Sequence, residues 1–274
     1  MTEKSVSGRI ATRSADSSGT ETAARVADVL LLFAGGPQYL GVSAISRELG
    51  LSKAVVHRIL QSLVSREMLQ TDPGVPGYRL GPAAVALGAS ALSRFETRTA
   101  ALPVLRRLRD ETGETSTLSG LVGEERVYLT QFESPYEVKM TVEVGRRFPL
   151  HAGSSGKAIL AFLPEDRRES LLSRPLLSFT ERTVTDTGAL RAELAEIARD
   201  GVAVSAGERQ SDAGSVAAPL FGPDGEPHGS ISVCGPRHRF TPERVELWRG
   251  LVLAAAEEIS RSWTWSRPAG ERSR

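Results

Sequence analysis

The sequence predicts an α+β protein in two parts: a winged helix-turn-helix, then, after a connecting helix, a domain built on a mainly antiparallel sheet. Three patterns carry that expectation. Residues 22–80 show three helical stripes of apolar side chains followed by a short hairpin. From Pro82 an alanine-rich helix follows. Beyond Glu96, alternating strands come in pairs joined by tight turns such as Gly123-Glu124-Glu125 and Pro223-Asp224-Gly225. Paired hairpins imply antiparallel neighbours, which excludes a doubly wound nucleotide-binding sheet.

Composition narrows the function classes. A chain of 274 residues, 40% hydrophobic, is long enough for two domains with real cores, and no apolar run approaches the ~20 residues of a membrane-spanning helix. The 34 basic residues nearly balance 33 acidic ones, leaving +1, so any nucleic-acid surface must be local. A single cysteine, Cys234, excludes an internal disulfide framework and a cysteine-rich zinc site; with no signal-peptide pattern, a cytoplasmic protein is expected. The 5% aromatic content argues against a stacking-based single-strand binder. Residues 1–21 and 266–274 are too polar to offset chain entropy and are expected as disordered tails.

The first helix is expected from Thr22, with Val26, Leu30 and Phe33 on one stripe and Gly35-Gly36-Pro37 as its stop. Ser43 is read as the N-cap of a second helix that Gly50 breaks, and Ser52 as the cap of a third, running from Lys53 to about Arg66. Met68–Thr71 and Tyr78–Leu80 flank a turn-rich segment and read as a small hairpin. Pro82–Phe95 forms the connecting helix, giving a DNA-reading domain over 22–82, a linker over 83–97 and a second domain over 98–265. In that domain, helices are expected at Leu102–Glu111, Ser155–Phe162, Leu190–Arg199 and from Thr241 to about Trp263. Strands are expected at Thr115–Val122, Arg126–Phe132, Val138–Val144, Val202–Ala206, Val216–Phe221 and Gly229–Cys234. Arg146-Arg147 reads as a solvated turn, Trp248 as core, and Trp263 and Trp265 as cover for an interface.

The third helix has the chemistry of a groove reader. Val56, Ile59, Leu60, Leu63 and Val64 form its apolar stripe. That leaves Lys53, Ala54, His57, Arg58 and Gln61 outward. Lysine and arginine can neutralise phosphates or donate to guanine, Gln61 can pair with adenine, and Ala54 can touch a thymine methyl. The helix start at Ser52, with its unpaired N–H groups, suits a phosphate, and Arg79 in the hairpin could hold the backbone beside the groove.

The run from Val42 to Leu63, with Ser46-Arg47-Glu48-Leu49-Gly50-Leu51-Ser52-Lys53-Ala54 at its centre, resembles the DNA-binding domain of the IclR family of bacterial transcriptional regulators. So does the wing ending Tyr78-Arg79-Leu80-Gly81-Pro82. The similarity continues through Glu111-Thr112-Gly113-Glu114, Arg126-Val127-Tyr128-Leu129, the stretch Gly145–Ala152, Gly156-Lys157-Ala158, Val216-Ala217-Ala218-Pro219 and Thr241-Pro242-Glu243, covering about Thr22 to Ser262. The resemblance implies a GAF-like α/β effector-binding domain after the linker, and a homodimer or tetramer on a pseudo-palindromic operator in double-stranded DNA. The second apolar face of the alanine-rich helix would then be a subunit interface.

The resemblance also implies a small-molecule effector pocket lined by Ser154, Ser155 and Gly156 at a helix start, then Ser215, Ser232 and Cys234. Local chemistry agrees: N–H groups at a helix start favour an anion, and Ser232 and Cys234, two apart on a strand, share a face. A carboxylate-bearing metabolite is the expected ligand. Ser215 stands where many members carry cysteine, and Asp212 replaces a frequent glycine, so a more polar pocket is expected.

Enzyme readings fare worse. Gly153-Ser154-Ser155-Gly156-Lys157-Ala158 lacks the glycine spacing and the hydroxyl residue after lysine that a Walker loop needs, and Lys157 is expected to solvate its tip. The four histidines show no metal spacing. A His151–Cys234 nucleophile pair would need an activated thiolate. No catalytic residue, metal or cofactor is therefore expected. The rival reading is a small-molecule enzyme using the second domain's pocket, with the first helices serving dimerisation only.

Overall fold

The computed structural model describes residues 20–34, 37–94 and 96–262. Residues 1–19 and 266–274 of the expected tails, the Gly35-Gly36 stop, Trp263 and Trp265 lie outside them, whereas Thr20 and Glu21, expected in the first tail, cap and begin the first helix. The chain divides into two compact units between Arg94 and Phe95.

The first unit contains α1 (Glu21–Leu32), α2 (Val42–Leu49), α3 (Lys53–Val64), the strands β1 (Leu69–Gln70) and β2 (Arg79–Leu80), and α4 (Pro82–Arg94). Thr20 caps α1 and Ser52 caps α3, each hydroxyl accepting from the N–H three residues on. The N-cap of α2 is Gly41, not the expected Ser43. Starting two residues earlier puts Val42 against the core shared by Val29, Phe33, Ile45, Val56, Leu60 and Leu63. Gly50 ends α2 at φ +65°, in the left-handed region that lets α3 begin after only two more residues. Leu69 pairs with Leu80 in the antiparallel wing, and Leu40 bridges to Tyr78 beside it.

The second unit begins with α5 (Glu96–Thr112), which extends six residues further back than the sequence pattern and contains Pro103. Then come β3 (Thr115–Val122), β4 (Glu125–Phe132), β5 (Arg147–Pro149), α6 (Ser154–Leu160), α7 (Glu165–Leu172), α8 (Thr187–Asp200), β6 (Ala203–Ala206), β7 (Ala213–Phe221), β8 (Pro227–Pro236), a short 3-10 turn and α9 (Pro242–Ser262). The strands form one six-stranded sheet in the order β5-β4-β3-β8-β7-β6, antiparallel at every junction.

Alternation along the strands sorts two cores. Leu118, Val216, Ala218, Ile231 and Val233 face α5 and α9, where they meet Leu105, Leu108, Trp248, Val252 and Ile259. Ala217, on the opposite face, packs with Ile159 and Leu160 of α6 and Leu190, Leu194 and Ile197 of α8.

Residues 138–144, expected as a strand, run irregularly instead. Side chains take the backbone partners a neighbouring strand would have supplied. The Gln131 amide donates to Val142 O at 2.9 Å and accepts from Val142 N at 2.8 Å, and Thr115 Oγ1 donates to Met140 O at 2.6 Å. The strand that does flank β4 is β5, three residues long, so Arg147 sits in a sheet edge rather than a turn.

Candidate functional site

In the first unit, α3 is buried along Val56, Ile59, Leu60 and Leu63, while Ser52, Lys53, Ala54, His57, Arg58 and Gln61 are all exposed. A stripe on one side of an amphipathic helix leaves the other clear, and here that side carries two fixed cations, an imidazole and an amide. No carboxylate pairs with Lys53 or Arg58 among the described residues. Arg79 differs from the expectation of a free phosphate contact. Its guanidinium grips Asp72 across the wing through two hydrogen bonds of 2.6 and 3.0 Å, and the Tyr39 hydroxyl donates to the same carboxylate. Arg79, and after it Tyr39, hold the Asp72 carboxyl below its ordinary value. The pair closes the base of the loop that joins the two strands, and Asp72 offsets the charge of Arg79 there.

In the second unit, α6 lies over β7 and β8 and brings together most of the serines singled out by the sequence. Ser154 Oγ donates to Ser215 Oγ at 2.7 Å, Ser155 Oγ to Ser232 Oγ at 3.0 Å, and Thr117 Oγ1 lies 2.7 Å from Ser232 Oγ. These serines and Cys234 line one cavity. The space within reach of the centre of a water-sized molecule is about 40 Å³, enough for a few waters or a small organic acid. Gly156 does not line it. A Cβ there would stand 2.5 Å from Leu150 O, so this glycine serves the close approach of α6 to the chain before it.

The cavity also holds groups the sequence reading did not assign to it. Arg126, Tyr128, Met140, Val142, Glu208 and Arg209 are among its other lining residues. Arg126 was legible in principle, since alternation puts Arg126 and Tyr128 on one face of β4. Glu208 and Arg209 sit in the β6–β7 connection, where periodicity says nothing.

Lys157 overturns its expectation. It is fully buried, with Nζ 2.8 Å from both Glu193 carboxylate oxygens and 2.7 Å from Glu208 Oε2. A buried ammonium requires such partners. Glu208 in turn accepts from Gly153 N at 3.1 Å, so the start of α6 already faces a carboxylate.

Burial pushes the Cys234 thiol up to about 12, with Arg209 pulling the other way. His151 does not activate it. That imidazole hydrogen-bonds Leu177 O at 2.9 Å and stacks on Phe179, and burial lowers its proton affinity despite the carbonyl contact.

The comparisons with known proteins follow this division. Residues 22–73 match the model of the IclR helix-turn-helix domain, and residues 89–261, well over half the chain, match that of the bacterial transcriptional regulator IclR C-terminal domain. The chain belongs to the IclR family of bacterial transcriptional regulators. This IclR-family chain is 34% identical to the HTH-type transcriptional regulator BhcR of Paracoccus denitrificans, over 94% of its own length and 92% of the relative's. It is 27% identical to the transcriptional repressor IclR of Escherichia coli, over 81% and 82%. Among solved structures, an IclR regulator from a Silicibacter species superposes with a TM-score of 0.83 at 32% identity, covering 90% of this chain and 98% of that one. An IclR homologue from Microbacterium hydrocarbonoxydans, complexed with 4-hydroxybenzoate, superposes with a TM-score of 0.73 at 28% identity, covering 88% and 98%. The molecule is thus an IclR-family regulator with a helix-turn-helix DNA-binding domain and an α/β domain on a curled antiparallel sheet.

Proposed function

We propose that this regulator binds a pseudo-palindromic operator as a homodimer or tetramer, and that a small carboxylate-bearing metabolite in the second domain sets its affinity for that DNA. The observation that carries the reading is the exposed face of α3, where Lys53, Ala54, His57, Arg58 and Gln61 stand together opposite a buried stripe. Arginine and glutamine side chains so placed can pair with guanine and adenine edges, while Lys53 and the capped start at Ser52 meet phosphates.

Oligomer formation is supported by α4, whose Val85 and Leu87 are 69% and 60% exposed in a single chain. Two residues apart on a helix, they project from different sides of α4, so its apolar surface extends beyond a single face, as a subunit contact would use. A two-fold axis through such a contact would present two copies of α3 and would require a matching symmetry in the DNA.

Effector control is supported by the serine-lined cavity and by the 4-hydroxybenzoate held by the Microbacterium relative. A ligand shifts DNA affinity only if it binds one arrangement of the domains better than another. The enzyme alternative in its His151–Cys234 form would need a thiolate, and burial pushes the Cys234 thiol up to about 12. A protein with this task works in the cytoplasm, beside the chromosome.

Fluorescence anisotropy with DNA from upstream of the protein's own gene, against a shuffled duplex at several salt concentrations, tests the proposal. Saturable preference for the natural sequence, altered by small carboxylates, is expected. Equal affinity for both duplexes overturns it.

A further inference from the structure

Two arginines meet in the cavity of the second unit, and among the described residues no carboxylate pairs with either. Arg126, 1% exposed, sits with its guanidinium carbon 4.4 Å from the Tyr128 ring centre and 5.1 Å from that of Phe148. Arg209 lies 4.0 Å from the Phe148 ring centre and 5.5 Å from that of Tyr128. The rings themselves meet edge to face. The polar contacts of Arg126 are weak and neutral: 3.4 Å to Ser119 Oγ and 3.2 Å to the Tyr128 hydroxyl, with Nε unpartnered. Arg209 Nη1 is buried without a partner.

A guanidinium does not give up its proton to escape burial. Aromatic faces offset only part of the cost of desolvating two like charges. The carboxylate nearest in the wall, Glu208, is bound to Lys157 and the Gly153 amide. Desolvation lowers the proton affinity of Arg209, and the neighbouring Arg126 and Arg146 lower it further, while Tyr128 and Cys234 oppose them. Among the described residues the two guanidiniums have no anion paired with them, whereas around the serines the hydroxyls bond one another and Glu208 shares the wall with them.

We propose that the effector is a small hydroxycarboxylic acid whose carboxylate sits on Arg126 and Arg209, against Tyr128 and Phe148, while its hydroxyl enters the serine cradle of Ser154, Ser155 and Ser232 beside Glu208. This deepens the regulatory reading and rests on it. It also reverses the polarity expected from the sequence, in which the carboxylate faces the start of α6. With Glu208 bonded to Gly153 N–H there, a second carboxylate would meet a like charge, whereas a hydroxyl can donate to it.

Calorimetry and thermal melts of the full chain with lactate, 3-hydroxypropionate and uncharged lactamide test the assignment. Both acids are expected to bind and raise the melting temperature, and lactamide to bind at least about tenfold more weakly, because the charge-assisted bonds are lost. Arg209→Gln is expected to weaken both acids by a similar factor and leave lactamide unchanged. Arg209→Lys, which keeps the charge, is expected to recover part of the loss if the glutamine variant folds poorly. Ser155→Ala is expected to weaken acid and amide alike. The proposal is overturned if neither acid binds, if acid and amide bind equally, or if acid binding survives Arg209→Gln and is lost in Ser155→Ala. Titrating the ligand-free wild type with operator DNA separates the two readings: operator binding without acid binding removes only the ligand assignment, and absent operator preference removes the regulatory reading.

Discussion

Lys157 Nζ lies 2.7 Å from Glu208 Oε2 in a site where the lysine side chain is fully enclosed and the glutamate 8% exposed. The pair ties α6 to the β6–β7 connection, and the same glutamate reaches Gly153 N, so one interaction holds both the floor and the rim of the cavity. Removing one partner of a buried pair leaves the other as an uncompensated charge. Lys157→Met is therefore expected to destabilise the second unit by about 3–5 kcal/mol, read as a lower urea midpoint with an unchanged slope. Adding Glu208→Gln to that variant is expected to restore part of the loss; a double variant as unstable as the sum of the singles would show the residues to be uncoupled.

On the DNA side, Arg58→Ala and Gln61→Ala each remove an exposed side chain from α3 and touch no buried group. Each is expected to weaken operator binding by about 1–3 kcal/mol with the melting temperature unchanged, whereas Lys53→Ala is expected to lower the salt slope of binding by about one. Anisotropy titrations at four salt concentrations read both effects.

The Asp72–Arg79 bridge makes a prediction of opposite sign. Asp72→Asn frees a guanidinium on the wing and removes an acidic group beside it. Affinity for any duplex is expected to rise and the salt slope to steepen by about one, with no gain in sequence preference. The two side chains are about a third exposed, so little stability change is expected.

Burial pushes the Cys234 thiol up to about 12, so the folded protein favours the unreactive thiol over the thiolate near neutral pH. Labelling with iodoacetamide at pH 8 is expected to be slow in the folded protein and fast after denaturation. Rapid labelling of the native chain would mean that the cavity opens widely.

His151 carries a pH signature. Burial favours its neutral form, so the unfolded chain takes up this proton more readily, and stability is lost as pH falls below about 6.5. The slope from this residue cannot exceed about 1.4 kcal/mol per pH unit. Urea melts between pH 7.5 and 5.5 are expected to show the loss in the wild type and a flatter profile in His151→Gln, which is neutral throughout.

The amino-acid sequence by itself determined whatever depends on neighbours along the chain. Apolar spacing and caps such as Ser52 settle α1 to α3 within a residue or two, because a helix buries one stripe and closes its own hydrogen bonds. The same locality made β3, β4, β7 and β8 readable, and it set Ser232 and Cys234 on one face. It failed where partners are distant. α7 is polar and buries only Leu172 of its own residues, so no stripe announces it. Residues 138–144 alternate like a strand, yet Gln131 and Thr115 claim their backbone groups first. The cavity belongs to the tertiary structure alone. Only folding carries Glu208 to Lys157 and Arg209 to Arg126, and only desolvation turns those side chains, ordinary on a surface, into a charged pair that must be satisfied and two cations with no anion paired to them among the described residues.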